Sequence, residues 1–240
     1  MKLITPDSAV KYHIKYCQKK DFELNKTKMN AADIRSSEWD EVKVQYDHGT
    51  HGTSGTTTVV YVYRRGPGDK EYKPWVVLGP SALLHRVGKH GFGLYAARSF
   101  KRGDYIGKYS GDTLGHFSSR EDALDSKQAK YRLRRGNDKL ITLRVSGSPG
   151  VELIDGSTSG PPYISSCNDP RNIGRITANA DLTEYGYLRV THARIPAFNL
   201  DKPLDENQQS ELRWDYGGDD TYWNYHDQLG CDAEHALLVE

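Results

Sequence analysis

The chain has 240 residues, a net charge of +1, and hydrophobic residues making up 36% of its length. A near-neutral balance sets aside any general attraction for nucleic acid and leaves such recognition to local patches. The 3 cysteines, Cys17, Cys167 and Cys231, are widely separated with no C-x-x-C pair, which argues against a disulfide framework or a four-cysteine zinc site and for reduced thiols inside the cell.

The opening "MKLITPDSAV" has no apolar core, and no run reaches membrane-span length. The expectation is therefore a soluble intracellular protein. Residues 1 to about 45 mix charges with scattered apolar positions. Within them Val10, Ile14 and Cys17 fall on one face of a predicted helix, with Asp7 or Ser8 as its N-cap. "HGTHGTSGTTT" reads as a flexible loop; His48 and His51 there are weak candidates for a metal site. "TTVVYVYRR" is a strand by its β-branched and aromatic content, "RGPGDKEYKP" a turn, and "WVVLG" a second strand completing a hairpin.

From 85 to 112 glycines recur at 88, 91, 93, 103, 107 and 111. Each glycine inside a helix costs about 0.5–1 kcal/mol relative to Ala, so short strands and tight turns are predicted. Residues 113–137 read as helical, with Ser118 or Ser119 capping "SSREDALDSKQAKYRL". "KLITLRV", "GVELID", "GYLRVTHARIP" and "SELRWDYGG" are predicted strands, and 196–210 a polar loop. Arg132, Arg134 and Arg135 read as a solvated face that also offers contact to an acidic partner. The whole is predicted to be mainly β.

Gly91-Phe92-Gly93-Leu94-Tyr95-Ala96 fits G-x-G-x-x-A, a form of the dinucleotide-binding fingerprint. That fingerprint needs an apolar strand before it and a long helix after it. Here "LLHRVGKH" precedes and "RSFKRGDY" follows, and the chain shows no alternation of strands with amphipathic helices. Only Asp112, about twenty residues on, suits the pattern. A nicotinamide site is therefore not expected.

The same glycines open a different series. They are followed by Phe100-Lys101-Arg102-Gly103-Asp104-Tyr105-Ile106-Gly107-Lys108-Tyr109-Ser110-Gly111-Asp112, then Leu153-Ile154-Asp155, then Ala193-Arg194-Ile195-Pro196, then Glu211-Leu212-Arg213-Trp214-Asp215-Tyr216-Gly217. This order of motifs resembles the SET domain, the fold of protein lysine methyltransferases. One motif departs. Where the family has "R-F-I-N-H-S-C-x-P-N", this chain has "PPYISSCNDPRN": Tyr163 and Ile164 match, Ser165 and Ser166 replace Asn and His, and Asn168 or Asn172 takes the amide role. The cysteine-rich flanks of many members are missing too. Cys231 with His235 is at most half a zinc site, so no structural zinc is expected.

The resemblance implies a fold of several small sheets with a knot-like C-terminal crossing. It places a flanking helix and hairpin at 1–75, the SET domain at 76–217 with a variable insert at about 113–140, and an aromatic, acidic tail at 218–240. It implies methyl transfer from S-adenosylmethionine to a lysine amine, with a histone H3 tail as the commonest substrate class and a nucleus-favoured location if a histone is the target. Contact with the nucleosome is a further implication. Tyr216 and Tyr109 become the catalytic tyrosines. Gly91, Phe92, Gly93, Tyr131, Tyr163 and Asn168 become cofactor contacts. Trp214, Tyr222 and Trp223 become walls of the substrate channel, closed by aromatic packing together with Tyr225. Two alternatives stay open: a methyltransferase of a non-histone protein, and a catalytically weak SET-like module that binds a peptide, motivated by Ser165-Ser166.

Overall fold

The computed structural model describes residues 38–47, 56–88, 91–134, 139–170 and 176–216. The predicted helix around Val10 to Cys17, the His48 and His51 loop, Arg135, Asn172, and Tyr222, Trp223, Tyr225, Cys231 and His235 lie outside the described residues.

In chain order the elements are β1 (Trp39–Asp47), β2 (Thr56–Arg64), β3 (Lys73–Pro80), α1 (Ala82–Arg86), β4 (Phe92–Ala96), β5 (Phe100–Lys101), β6 (Tyr105–Lys108), β7 (Asp112–Phe117), α2 (Arg120–Asp125), α3 (Lys127–Arg134), β8 (Leu140–Arg144), β9 (Val151–Asp155), β10 (Ala180–Leu182), β11 (Tyr187–Val190), β12 (Arg194–Ile195) and β13 (Glu211–Leu212). The architecture is mainly β, in several small antiparallel sheets with few helices, as the composition predicted. Two compact units divide it: one within 1–100 and 194–212, the other within 101–193 and from 213 on. No helix among the described residues is long and apolar enough to cross a membrane.

The first unit is built on a five-stranded sheet in the order β1-β2-β3-β4-β13. The predicted hairpin of β2 and β3 is present, with Tyr61 opposite Val77 and Val62 opposite Val76. β1 was not anticipated. It pairs with β2 along its whole length, Val44 opposite Val59. Its inward positions Val42, Val44 and Tyr46 alternate with Lys43 and Gln45, the period-2 pattern of a half-buried strand. Their face packs with Val59, Tyr61, Tyr63, Val77, Tyr95 and Phe198.

Phe198 comes from the stretch predicted as a polar loop. Its ring meets Tyr95 at 4.9 Å and Tyr46 at 5.2 Å, both edge-on. That stretch closes in a 3-10 helix, Leu204–Ser210, whose Leu204, Asn207 and Ser210 are buried. Asn207 explains how a polar sequence packs inward. Its amide donates to the carbonyls of Asn199 and Lys202, and its oxygen accepts the Asn199 N–H, so the buried polar atoms are satisfied.

Burial pushes the Tyr61 hydroxyl well above its ordinary 10.0, with smaller contributions from Tyr46 and Asp201. A tyrosine whose folded pKa is raised stabilises the fold fully below its unfolded pKa and loses that contribution as pH rises beyond it. Urea unfolding should therefore show stability falling above about pH 10, and falling less in Tyr61→Phe. Equal slopes in the two proteins would contradict this.

The start of α1 shows why the glycine-rich strand sits where it does. The first N–H groups of a helix have no partner within it. Here Ala82 N–H donates to the Tyr95 hydroxyl at 2.7 Å, Leu83 N–H to the Glu211 carboxylate at 2.9 Å, and Leu84 N–H to Ser81 Oγ at 3.1 Å. Ser81 Oγ donates in turn to Glu211 at 2.6 Å. One buried carboxylate, from a residue 130 positions away in sequence, thus ties α1 to the sheet.

The second unit holds two three-stranded sheets, ordered β10-β11-β6 and β7-β9-β8. β7 is a correction: 113–117 were predicted helical but form a strand against β9, with Phe117 opposite Val151. The helical pattern begins only at Ser119, whose side chain accepts the Asp122 N–H. α2 and α3 bury Ala123, Ala129 and Leu133 against Leu140 and Leu153. Arg132, read from sequence as solvated, reaches the buried carboxylate of Asp155. "GYLRVTHARIP" is also two strands rather than one, β11 and β12.

Candidate functional site

Tyr109 follows β6 and is 5% exposed. Its N–H donates to the Gly186 carbonyl and its hydroxyl to the Lys139 carbonyl, both at 2.7 Å. The backbone of Gly156 lies against it: a Cβ there would stand 2.3 Å from the Tyr109 hydroxyl and 2.8 Å from the Ser165 Cβ. The tyrosine is held from three directions.

Tyr216 is positioned by the chain it runs beside. Residues 213–216 lie between two segments. On one side Trp214 N–H donates to the Asn168 carbonyl, Tyr216 N–H to the Asp169 carboxylate at 3.1 Å and the Tyr216 hydroxyl to the Cys167 carbonyl at 2.7 Å. On the other, Arg213 N–H donates to the Asn179 side chain, and the Arg213 carbonyl accepts the N–H groups of Asn179 and Ala180. Parallel bridges join Asn168 to Arg213 and Ala180 to Trp214. The Trp214 and Tyr216 rings sit 4.6 Å apart, tilted at 46°.

Tyr109, Trp214 and Tyr216 all line one cavity of about 540 Å³ in the second unit, joined there by Ser165. That volume is in the range of small-molecule and side-chain sites. Both tyrosine hydroxyls donate their proton to a main-chain carbonyl, so each presents its oxygen to a neighbour as an acceptor. Acceptors beside two aromatic rings favour a cation or an amine N–H over an anion. Leu124, Leu133, Leu143 and Val151 give the cavity an apolar flank, and Arg120, Arg144 with its partner Glu184, and Asp215 give it charge. β8 is an edge strand of its sheet and lines the cavity; the Arg144 N–H at its end is taken by the Glu184 carbonyl, which leaves the edge before it as a template for an extended peptide.

The other sequence-predicted residues distribute as follows. Gly91, Phe92 and Gly93 belong to the first unit. Sequence reasoning kept these glycines small for the sake of a ligand. The structure gives a reason within the protein: a Cβ on Gly91 would stand 2.6 Å from Leu84, and one on Gly93 would stand 2.5 Å from the Glu211 carboxylate and 3.1 Å from Ser81 Cα. Phe92 is 63% exposed and Tyr131 59% exposed. Tyr163 adopts φ 58, a left-handed conformation that costs a non-glycine residue about 1 kcal/mol and clusters at functional sites. Asn168 contributes through its main chain to the placement of Trp214.

Sequence reasoning missed Asp169 and the carbonyls of Cys167 and Lys139, which hold the two tyrosines. The search for an amide in "SSCNDPRN" passed over the carboxylate next to Asn168. Main-chain acceptors leave no trace in side-chain identity. Ser165 stands where the family pattern has Asn; it is buried at the cavity wall, and its hydroxyl hydrogen-bonds to Ser159 Oγ at 2.6 Å. Among the described residues no group of three or more His, Cys, Asp or Glu is placed to hold a metal ion. No family model matches the chain, and no curated protein matches it.

Proposed function

We propose that the chain is an S-adenosylmethionine-dependent protein-lysine N-methyltransferase with a SET-type fold, acting on a histone tail of the H3 kind. The observation that carries this reading is the meeting of Tyr109, Trp214 and Tyr216 at one cavity. These are the residues the motif resemblance assigns to catalysis and to the substrate channel, and more than a hundred positions separate the first from the others. The bracketing of 213–216 between 167–169 and 179–180 supports it as well, since the family's C-terminal crossing needs a segment enclosed on two sides.

Lysine has an ordinary pKa of about 10.4, so its amine is mostly charged at neutral pH and cannot attack. Desolvation against Trp214, Tyr216 and the Leu side chains lowers the amine pKa and promotes loss of its proton to solvent before the amine settles, against the smaller pull of the aromatic faces and acceptor oxygens on the ammonium. Tyr216 and Tyr109 then accept amine N–H bonds and aim the nitrogen lone pair along one line. The bound cofactor supplies a methyl group on a sulfonium, which needs no acid–base dyad for transfer. The residues fit such a group in chemical kind, because acceptor oxygens and aromatic faces suit a sulfonium cation. Positioning and exclusion of water are what the protein contributes. The edge of β8 gives the flanking peptide backbone a partner.

The test is transfer of labelled methyl from S-adenosylmethionine to nucleosomes, free histones and cell extract, with lysine identified as the acceptor. Labelled histone H3 is the expected result. Labelling confined to another protein selects a non-histone substrate. Cofactor and peptide binding without transfer selects the non-catalytic module, which the serine at position 165 favours.

A further inference from the structure

The first unit carries an arginine–aromatic cluster that the proposed chemistry does not use. The Arg64 guanidinium lies 4.7 Å from the Trp75 ring centre and the Arg98 guanidinium 4.3 Å from the same ring. Arg98 also stacks on Phe100 at 4.7 Å, and Arg64 on Trp39 at 5.5 Å. Arg194 donates to the hydroxyl of Ser99, the residue between Arg98 and Phe100. Three guanidiniums are thereby gathered around one short stretch of chain.

Their charge is only partly met. Arg64 pairs with Glu38 at 2.7 Å. Arg98 and Arg194 are exposed and have no carboxylate partner among the described residues. Stacking fixes the plane of a guanidinium while leaving its N–H edge directed outward, the geometry that takes two phosphate oxygens at once. The rings offer little open face. Trp75 is already engaged by two guanidiniums, Phe100 is fully buried, and Trp39 is half-buried with Arg64 against it. A ligand that needed to stack a base would find little aromatic surface in the cluster.

We propose that Arg98 and Arg194, with Arg64, form a binding site for the phosphate backbone of duplex DNA. The site reads charge and spacing rather than sequence, since nothing in it reaches base edges. With a net charge of +1 the chain offers no general attraction for DNA, so binding must come from local clusters such as this one. The inference stands apart from the methyltransferase reading and survives its failure.

The test is fluorescence anisotropy of the full chain with a random-sequence duplex of about 30 base pairs, titrated between about 50 and 200 mM salt. Two phosphate contacts from Arg98 and Arg194, and a third if Arg64 exchanges Glu38 for phosphate, predict a slope of log Kobs against log salt of about −2 to −3. Replacing Arg98→Gln and Arg194→Gln together should make the slope shallower by about 2 and weaken binding at least about tenfold, whereas Arg189→Gln, an exposed arginine of the second unit, should change nothing. Arg98→Lys keeps the charge without the planar stack and should keep the slope while lowering affinity. Both altered arginines are exposed, so the double variant should keep a cooperative thermal transition, lowered by no more than a few degrees for the lost stacks and the Ser99 hydrogen bonds. Absence of saturable binding at the lowest salt, an unchanged slope in the double variant, or tighter binding to single-stranded oligothymidine than to duplex would each overturn the proposal. Displacement of the duplex by polyglutamate at equal charge would overturn it as well.

Discussion

Replacing Tyr216 by Phe is expected to leave the fold standing and to lower methyl transfer by at least about 100-fold. The hydroxyl donates to the Cys167 carbonyl, the N–H is taken by Asp169, and the ring packs on Trp214. Removing the oxygen leaves two of those three constraints. The lost hydrogen bond is worth about 1 kcal/mol, which for a chain of this size shifts melting by about 2–4 °C. On the methyltransferase reading the chemical loss is far larger, because the oxygen would be the acceptor that orients the amine. A misaimed nucleophile forfeits most of the advantage of a bound geometry. A Phe variant that transfers methyl within about threefold of the parent, at a melting point a few degrees lower, would remove Tyr216 from the chemistry.

Glu211 carries the largest expected effect on stability. Its carboxylate is fully buried and accepts from Ser81 Oγ and the Leu83 N–H. Glu211→Ala leaves a buried helix N–H without its acceptor and opens a cavity beneath α1. The expected cost is about 3 kcal/mol, or about 6–12 °C in Tm. Glu211→Gln keeps one acceptor oxygen and should cost about 1 kcal/mol. Gly93→Ala sharpens the test, because the Cβ it adds would stand 2.5 Å from the same carboxylate. In the native background it should cost about 2 kcal/mol by displacing Glu211. In the Glu211→Ala background that cost should fall to the part due to Ser81 Cα, which stays 3.1 Å from the added Cβ, since the closer carboxylate is gone. Additive losses in denaturant unfolding would mean that Gly93 is constrained by something other than Glu211.

These two residues mark the line between what is legible in the sequence and what is not. β2 and β3 declare themselves through runs of Val, Tyr and Thr that suit no other element. Ser119 is readable as a helix cap because capping is local chemistry. β1 carries the same alternation but in diluted form, with Lys43 and Gln45 filling its solvent face, and charge content masked it. β7 was read as helix because Gly115 and His116 break its pattern and the true helical signal follows directly. Glu211 is out of reach for any local reading: its partner Ser81 is 130 positions away, and a Glu in a strand looks solvated until the fold buries it. The glycines at 91 and 93 stand out in the sequence as room for a cofactor; the neighbours the structure puts against a side chain there are Leu84 for Gly91, and Glu211 with Ser81 for Gly93. Tyr109, Trp214 and Tyr216 were identified only through the order of motifs. Their meeting at one cavity depends on carbonyls of Lys139, Asn168 and Cys167 that no side-chain pattern encodes.

Isothermal titration of the full chain with S-adenosylmethionine, repeated with S-adenosylhomocysteine, bears most directly on the methyltransferase reading. Saturable one-site binding of both is the expected result, with weaker binding in Tyr216→Phe than in the parent. A parent protein that keeps its cooperative thermal transition yet yields no binding heat across a range of temperatures, and no shift in melting with either compound, would contradict it.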